Sequence, residues 1–226
     1  MTDSVTNCKR RWFQFNLRTL LILMAIVAFG PGAWLAWEMR VARREIEAID
    51  ELRKLGAEIY VKPRKPLSAV MGDDFNYAVG IGLRNRNGLS DPKALAHIAE
   101  LRETVWIDIQ GTELNDDGLA HLSRLKCLKQ LRLDETQVTD GGMKHLAKLE
   151  ALEVLNLSDT QIGDAGLAHL ADLKNLRELR LKGTRITDAG LQHLKNLKQL
   201  ETLTISGTQA TATAHAVLTS SLRELP

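Results

Sequence analysis

Residues 152–173 read LEVLNLSDTQIGDAGLAHLADL, and the spacing of their apolar residues assigns a local structure on each side of a turn. Leu155 and Leu157 alternate with Val154, Asn156 and Ser158, the period of a strand with one buried face. Leu167, Leu170 and Leu173 fall three apart and form one stripe of a helix. Thr160, Asp164 and Gly166 lie between. The unit is strand, turn and helix, and it is too short to bury its own leucines.

The same pattern recurs on both sides. Thr112, Thr136, Thr160, Thr184 and Thr208 repeat every 24 residues, and Asp116, Asp140, Asp164 and Asp188 keep that interval, as do Gly118, Gly142, Gly166 and Gly190. A fixed period in this range means stacked copies that share one continuous core, so the chain is read as a solenoid with a parallel sheet. Ile107 and Ile109 continue the strand register backward, and Ile81 precedes them, with Leu95, His97 and Ile98 matching the helix. At the other end Ala212, Ala214 and Val217 replace the usual Asp, Gly and His, which marks a terminal copy.

Composition adds little bias. The 226 residues are 26% charged, 44% hydrophobic and 4% aromatic, with a formal net charge of +2. That charge is too small and too evenly mixed for nucleic acid. The sequence shows no glycine-rich phosphate loop, G-x-S-x-G elbow, H-E-x-x-H helix or cysteine cluster, so no enzyme, cofactor or metal is expected.

The repeated polar positions read as architecture. Each aspartate sits just ahead of a glycine-leucine helix start, where a carboxylate accepts backbone N–H bonds and complements the helix dipole. The threonines are expected to bond backbone groups of the neighbouring turn. His97, His121, His145, His169 and His193 hold one register at the edge of the leucine stripe. Zinc would need ligand nitrogens within about 4 Å of one another, whereas packed helices stand about 8–10 Å apart, so packing is the first reading for these imidazoles and a pH-responsive stripe near pH 6 the alternative.

The segment ahead of the repeats differs in kind. Thr19 to Trp37 contains no charged residue, and as a helix it would be about 28 Å long, near the thickness of a bilayer core. It is read as a single transmembrane anchor. Trp12, Phe13, Trp34 and Trp37 suit the interfacial belts, although Gly30-Pro31-Gly32 predicts a kink. No A-x-A cleavage pattern follows, so the segment is expected to remain. Cys8 and Cys127 lie on opposite sides of it and are not expected to pair. The organisation expected is a basic tail over 1–18, the anchor over 19–37, a juxtamembrane helix over 38–56, an N-terminal cap segment over 57–78 and the repeat domain over 79–226. The juxtamembrane helix carries an apolar stripe of Val41, Ile46, Ile49 and Leu52 and ends at Gly56. A short basic tail favours the cytoplasm, which places the repeat domain on the non-cytoplasmic side.

The turn and helix spelling, as in Thr184-Arg185-Ile186-Thr187-Asp188-Ala189-Gly190-Leu191, resembles the leucine-rich repeat family over about residues 79 to 226. The resemblance implies an α/β solenoid with its parallel sheet on the concave side and its helices on the convex side. The anchor with Lys54-Leu55-Gly56 also looks like a group of bacterial membrane-anchored proteins carrying such repeats. No F-box-like segment stands ahead of the repeats, so the ubiquitin-ligase adaptor role of some relatives is not expected.

Side chains alternating with the strand leucines point to the concave face and follow no consensus. They are Trp106, Asp108 and Gln110, then Gln130, Arg132 and Asp134, then Val154, Asn156 and Ser158, then Glu178, Arg180 and Lys182, then Thr202, Thr204 and Ser206. Positions held identical build the solenoid, and positions free to vary can encode a partner. The candidate site for an unidentified protein partner is therefore Trp106, Asp108, Gln130, Arg132, Asp134, Asn156, Glu178, Arg180 and Lys182, with Trp106, Arg132 and Arg180 the expected anchors. The alternatives are a structural envelope protein that self-associates along its open sheet edges and, against the missing motifs, an enzyme with an unrecognised site on the irregular segment Tyr60 to Tyr77. The sequence leaves the oligomeric state open.

Overall fold

A computed structural model describes residues 36, 40–41, 43–63, 76–82, 92–101 and 104–223. The chain divides into two compact units, 1–41 and 42–226, and the second carries the sheet and its helices. The expected tail over 1–18 lies outside the described residues, as does the anchor over 19–37 apart from residue 36. Among the described residues no helix is long and apolar enough to cross a membrane.

The second unit opens with helix α1 over residues 43–54. The apolar positions along α1 place one face inward. Ala48, Ile49 and Leu52 are buried, whereas Ile46 is 39% exposed and leaves the expected stripe. At about 100° per residue Ile46 stands about 120° round from Leu52, while Glu45 is only about 20° away and is buried instead. The helix ends as expected at Gly56, whose φ of 84° lies in the left-handed region. The Ala57 amide donates to Leu52 O and the Gly56 amide to Arg53 O, both at 3.0 Å, the paired bonds of a Schellman end.

Two strands follow, β1 over Glu58–Pro63 and β2 over Asn76–Gly82. They pair antiparallel. From β2 onward the solenoid repeats one motif, with α2 over Pro92–Glu100, β3 over Trp106–Asp108 and α3 over Asp116–Leu122. Next come β4 over Gln130–Arg132, α4 over Asp140–Leu146, β5 over Val154–Asn156 and α5 over Asp164–Ala168. The last are β6 over Glu178–Arg180, α6 over Asp188–Leu191, β7 over Thr202–Thr204 and α7 over Ala212–Arg223. The seven strands lie side by side in chain order, and every pair after the first is parallel.

Register follows the period without slippage. Ile81, Ile107, Leu131, Leu155, Leu179 and Leu203 stand in one row, so each leucine faces its equivalent one strand away. Every repeat adds the same apolar layer to the interior. In the third copy Leu152, Leu155, Leu157, Ile162, Leu167, Leu170 and Leu173 are all 0% exposed. Ala48, Ile49 and Leu52 of α1 join that single core, so this helix packs onto the first repeats. Truncating any inner leucine to Ala would cost about 2–5 kcal/mol.

The polar rows are tied differently from the sequence expectation. The helix N-caps are Asn115, Thr139, Gly163 and Thr187, and each aspartate is the first helical residue after its cap. The carboxylates reach forward into the next repeat. Asp116 Oδ1 accepts from the Thr139 amide at 2.8 Å and Oδ2 from its hydroxyl at 2.6 Å, and Asp164 does the same with Thr187. Asp140 accepts from the Gly163 amide at 2.7 Å, and Asp188 from the Thr211 amide at 2.6 Å and hydroxyl at 3.0 Å. This forward reach explains the glycine row. A Cβ at Gly142 or Gly166 would stand 2.5 Å from Oδ1 of Asp116 or Asp140, the aspartate of the preceding copy. The threonines of the turn act within their own copy. Thr136, Thr160 and Thr184 hydroxyls donate at 2.6 Å to the carbonyls of Leu133, Leu157 and Leu181, closing the turn that leaves each strand.

Candidate functional site

Three-residue strands whose central leucine or isoleucine faces the core leave their two outer side chains on the opposite face, and parallel register sets these in rows. One row runs Trp106, Gln130, Val154, Glu178, Thr202, and the second runs Asp108, Arg132, Asn156, Arg180, Thr204. Seven of these side chains, Trp106 to Arg180, line one groove of about 380 Å³. The candidate residues Trp106, Gln130, Arg132, Asn156, Glu178 and Arg180 are thus brought together. Asp108 and Asp134 lie beside them through their contacts with Arg132 and Asn156, whereas Lys182 contacts Asp159, outside the groove lining.

Those contacts separate anchors from scaffold. Arg132 is held by three neighbours: Nη1 donates to Asp108 Oδ2 at 3.2 Å, Nη2 donates to Gln110 Oε1, and Nε stands 3.5 Å from Asp134 Oδ1. Asp134 also accepts from Asn156 Nδ2 at 2.7 Å, and Asn156 Oδ1 accepts from the Ser158 amide at 3.0 Å. Asn156 is 6% exposed and Ser158 8%. This chain of bonds across three strands positions its members, and Asn156 presents little surface to a partner. Arg132, expected as an anchor, is already neutralised on both sides.

The freer groups lie at the two ends. Arg180 bonds Glu178 at 2.5 Å with half its side chain exposed, and Lys182 is 3.8 Å from Asp159. At the opposite end Trp106 is half-buried against β2. Gly80 has no side chain because the indole occupies its place, a Cβ there standing 2.6 Å from Trp106 Cε3. Tyr60 of β1 meets the indole edge-on, ring centroids 5.8 Å apart and planes at 67°, a favoured aromatic geometry. The tyrosine is 55% exposed and extends the aromatic surface beyond Trp106. Sequence reasoning missed Tyr60, since it lies outside the 24-residue period, in a strand that pairs antiparallel.

The histidine register sits where the helical pattern places it. His97, His121 and His145 are half-buried, and His169 and His193 are exposed. Burial, followed by the charges of Lys144 and Lys148, holds the His145 imidazole below its ordinary value. Among the described residues no three His, Cys, Asp or Glu side chains group as a metal site, and Cys127 is an exposed free thiol.

Comparison with known proteins agrees with this geometry. A leucine-rich repeat family model matches residues 150–171 and 172–195, two adjacent units. No curated protein matches the chain. Among solved structures, internalin C2 (inlC2) from Listeria monocytogenes is similar at 23% identity and a TM-score of 0.51, over 65% of this chain and 68% of that one. Another internalin, inlF, from the same organism is similar at 27% identity and a TM-score of 0.44, over 48% of this chain. The chain spans 30% of that structure's length. A plant peptide hormone receptor, RGFR1, solved in complex with RGF2, is similar at 23% identity and a TM-score of 0.42, over 52% of this chain and 19% of that one. The two matched units carry the leucine-rich repeat pattern, and the copies on either side share their register.

Proposed function

We propose that the chain is a membrane-anchored recognition protein, tethered by residues 19–37 and binding a protein partner on its concave face. The observation that carries this reading is the contrast between rows. Core, turn and inter-repeat positions are repeated, whereas the groove from Trp106 to Arg180 changes in size, charge and polarity at every step. Its aromatic end at Tyr60 and Trp106 suits an apolar anchor, and Gln130, Glu178, Arg180 and Lys182 supply an adaptable polar rim. Support for the tether is the uncharged segment itself, with the basic tail favouring a non-cytoplasmic repeat domain. The role is non-enzymatic.

Proximity labelling from the carboxy terminus in intact cells identifies neighbours and the side of the membrane together. A labelled protein that binds the full chain should lose at least tenfold in affinity when Gln130→Ala, Arg180→Ala and Lys182→Ala are combined. These side chains contribute little to the fold. Unchanged affinity in that variant refutes the concave-face reading, and labelling confined to cytoplasmic proteins refutes the orientation.

A further inference from the structure

The two edges of the sheet are built differently. β1 is protected in the manner of edge strands, with a bulge between Tyr60 and Val61 and Pro63 at its end. β7 has neither device. Thr202, Leu203 and Thr204 continue the regular register, carry no charge or proline, and pair only with β6 among the described residues. In a parallel ladder alternate residues bond opposite ways. The Thr202 amide donates to Arg177 O at 2.9 Å, and Thr204 O and Ser206 O accept from the amides of Leu181 and Gly183. Among the described residues the amides of Leu203 and Ile205 and the Glu201 carbonyl face no further strand.

The sheet layer is unfinished here while the helix layer is closed. Leu203 and Ile205 are half-buried, unlike the 0% exposure of Leu155 and Leu157 in the third copy. Beside them is a hollow of about 590 Å³ with Leu200, Leu203 and Leu222 in its wall and Lys198 and Glu201 at its mouth. Ala212 stands in the aspartate register, so no carboxylate is offered to the N-cap amide and hydroxyl of a further repeat.

Charge indicates what a strand docked on this edge carries. The residues just ahead of the strands alternate in sign as Lys129, Glu153, Arg177 and Glu201. Lys129 Nζ is 2.6 Å from Glu153 Oε1, and Arg177 Nη1 is 3.3 Å from Glu201 Oε1. The next place in the row is complementary to a cation. We propose that the β7 edge docks an extended strand of a partner protein. The strand runs parallel to β7, is apolar at alternate residues and has Lys or Arg immediately ahead of it, a form of β-strand addition. This site is separate from the concave groove, and either can fail without the other.

The probe is a synthetic peptide copying residues 128–135, in which Lys129 takes the cation position and Leu131 and Leu133 the core positions. It is titrated onto the full chain in non-ionic detergent by fluorescence polarisation. Binding should protect the Leu203 and Ile205 amides from exchange, and N-methylation at the peptide positions of Gln130 and Arg132 should abolish it. The Lys peptide should bind about 1.5- to 5-fold more tightly than its Glu counterpart, the range for an exposed ion pair, and Glu201→Lys should invert that order. The proposal is overturned by no binding at millimolar peptide, or by a preference unchanged in Glu201→Lys. A dimer by light scattering with the edge amides already protected also overturns it, because a second copy would then be the occupant.

Discussion

Replacing Asp164 with Ala tests whether the aspartate row couples repeats or only starts helices. The side chain accepts the Thr187 amide at 2.8 Å and the Thr187 hydroxyl at 2.6 Å, two bonds to a charged acceptor that together contribute about 3–6 kcal/mol. Both bonds cross to the next copy, so the loss falls on a repeat interface. Amide exchange should show residues beyond Thr187 losing protection while earlier repeats keep theirs, the pattern of a nearest-neighbour array. A second substitution sharpens the test. A Cβ at Gly190 would run into Asp164 Oδ1 and stand 2.8 Å from its Cγ. In the parent chain Gly190→Ala should therefore cost about 1–3 kcal/mol by overpacking. In the Asp164→Ala background the carboxylate is gone and only the 3.2 Å approach to the Cα of residue 164 remains, so alanine's helix preference of about 1 kcal/mol should bring the same change close to neutral. Urea unfolding of the four variants measures the coupling. Additivity within about 0.5 kcal/mol would refute the reasoning.

Three further outcomes follow from single contacts. His145 is held below 6.5 by burial and by Lys144 and Lys148, with Asp116 and Asp117 opposing. The unfolded chain then binds more protons, so the neutral ring stabilises the fold above pH 6.5 and that contribution is lost as pH falls through the folded pKa; His145→Gln should flatten the fall in Tm between pH 7.5 and 5, and an unchanged slope counts against this. Lys129 holds the Glu153 carboxyl below its ordinary value, chiefly by their hydrogen bond, so Lys129→Ala should move the carboxyl titration seen by NMR upward, and an unmoved curve removes the charge row. Gly80→Ala should push the Trp106 indole off β2, altering indole bands in the near-ultraviolet circular dichroism and costing about 1–3 kcal/mol; identical spectra would mean that the indole does not occupy that place.

Much of the fold was legible because burial imposes the same demand on every copy. The alternation of Leu155 with Leu157 and the three-residue spacing of Leu167, Leu170 and Leu173 are one-dimensional statements of two faces, and stacking carries each statement from copy to copy. The assignment of the aspartates was incomplete for a related reason. A carboxylate at a helix start is consistent with capping its own helix, and linear spacing does not show that Thr139 and Thr187, twenty-three residues on, stand within bonding reach. Ile46 left the expected stripe because the angular centre of α1 is set by what it packs against.

The candidate site divides along the same line. Alternation alone determined which side chains share the concave face, because side chains on a strand point to opposite sides by geometry. Which of them are available was decided only by contacts between strands. Arg132 is fixed among Asp108, Gln110 and Asp134, Asn156 is buried beside Asp134, and Tyr60 comes to Trp106 through an antiparallel pairing outside the period. The sequence determined the repeat, its core and its faces, since these depend on intervals along the chain. Tertiary structure decided the partners of each polar group and the unequal protection of the two sheet edges, since these depend on neighbours in space.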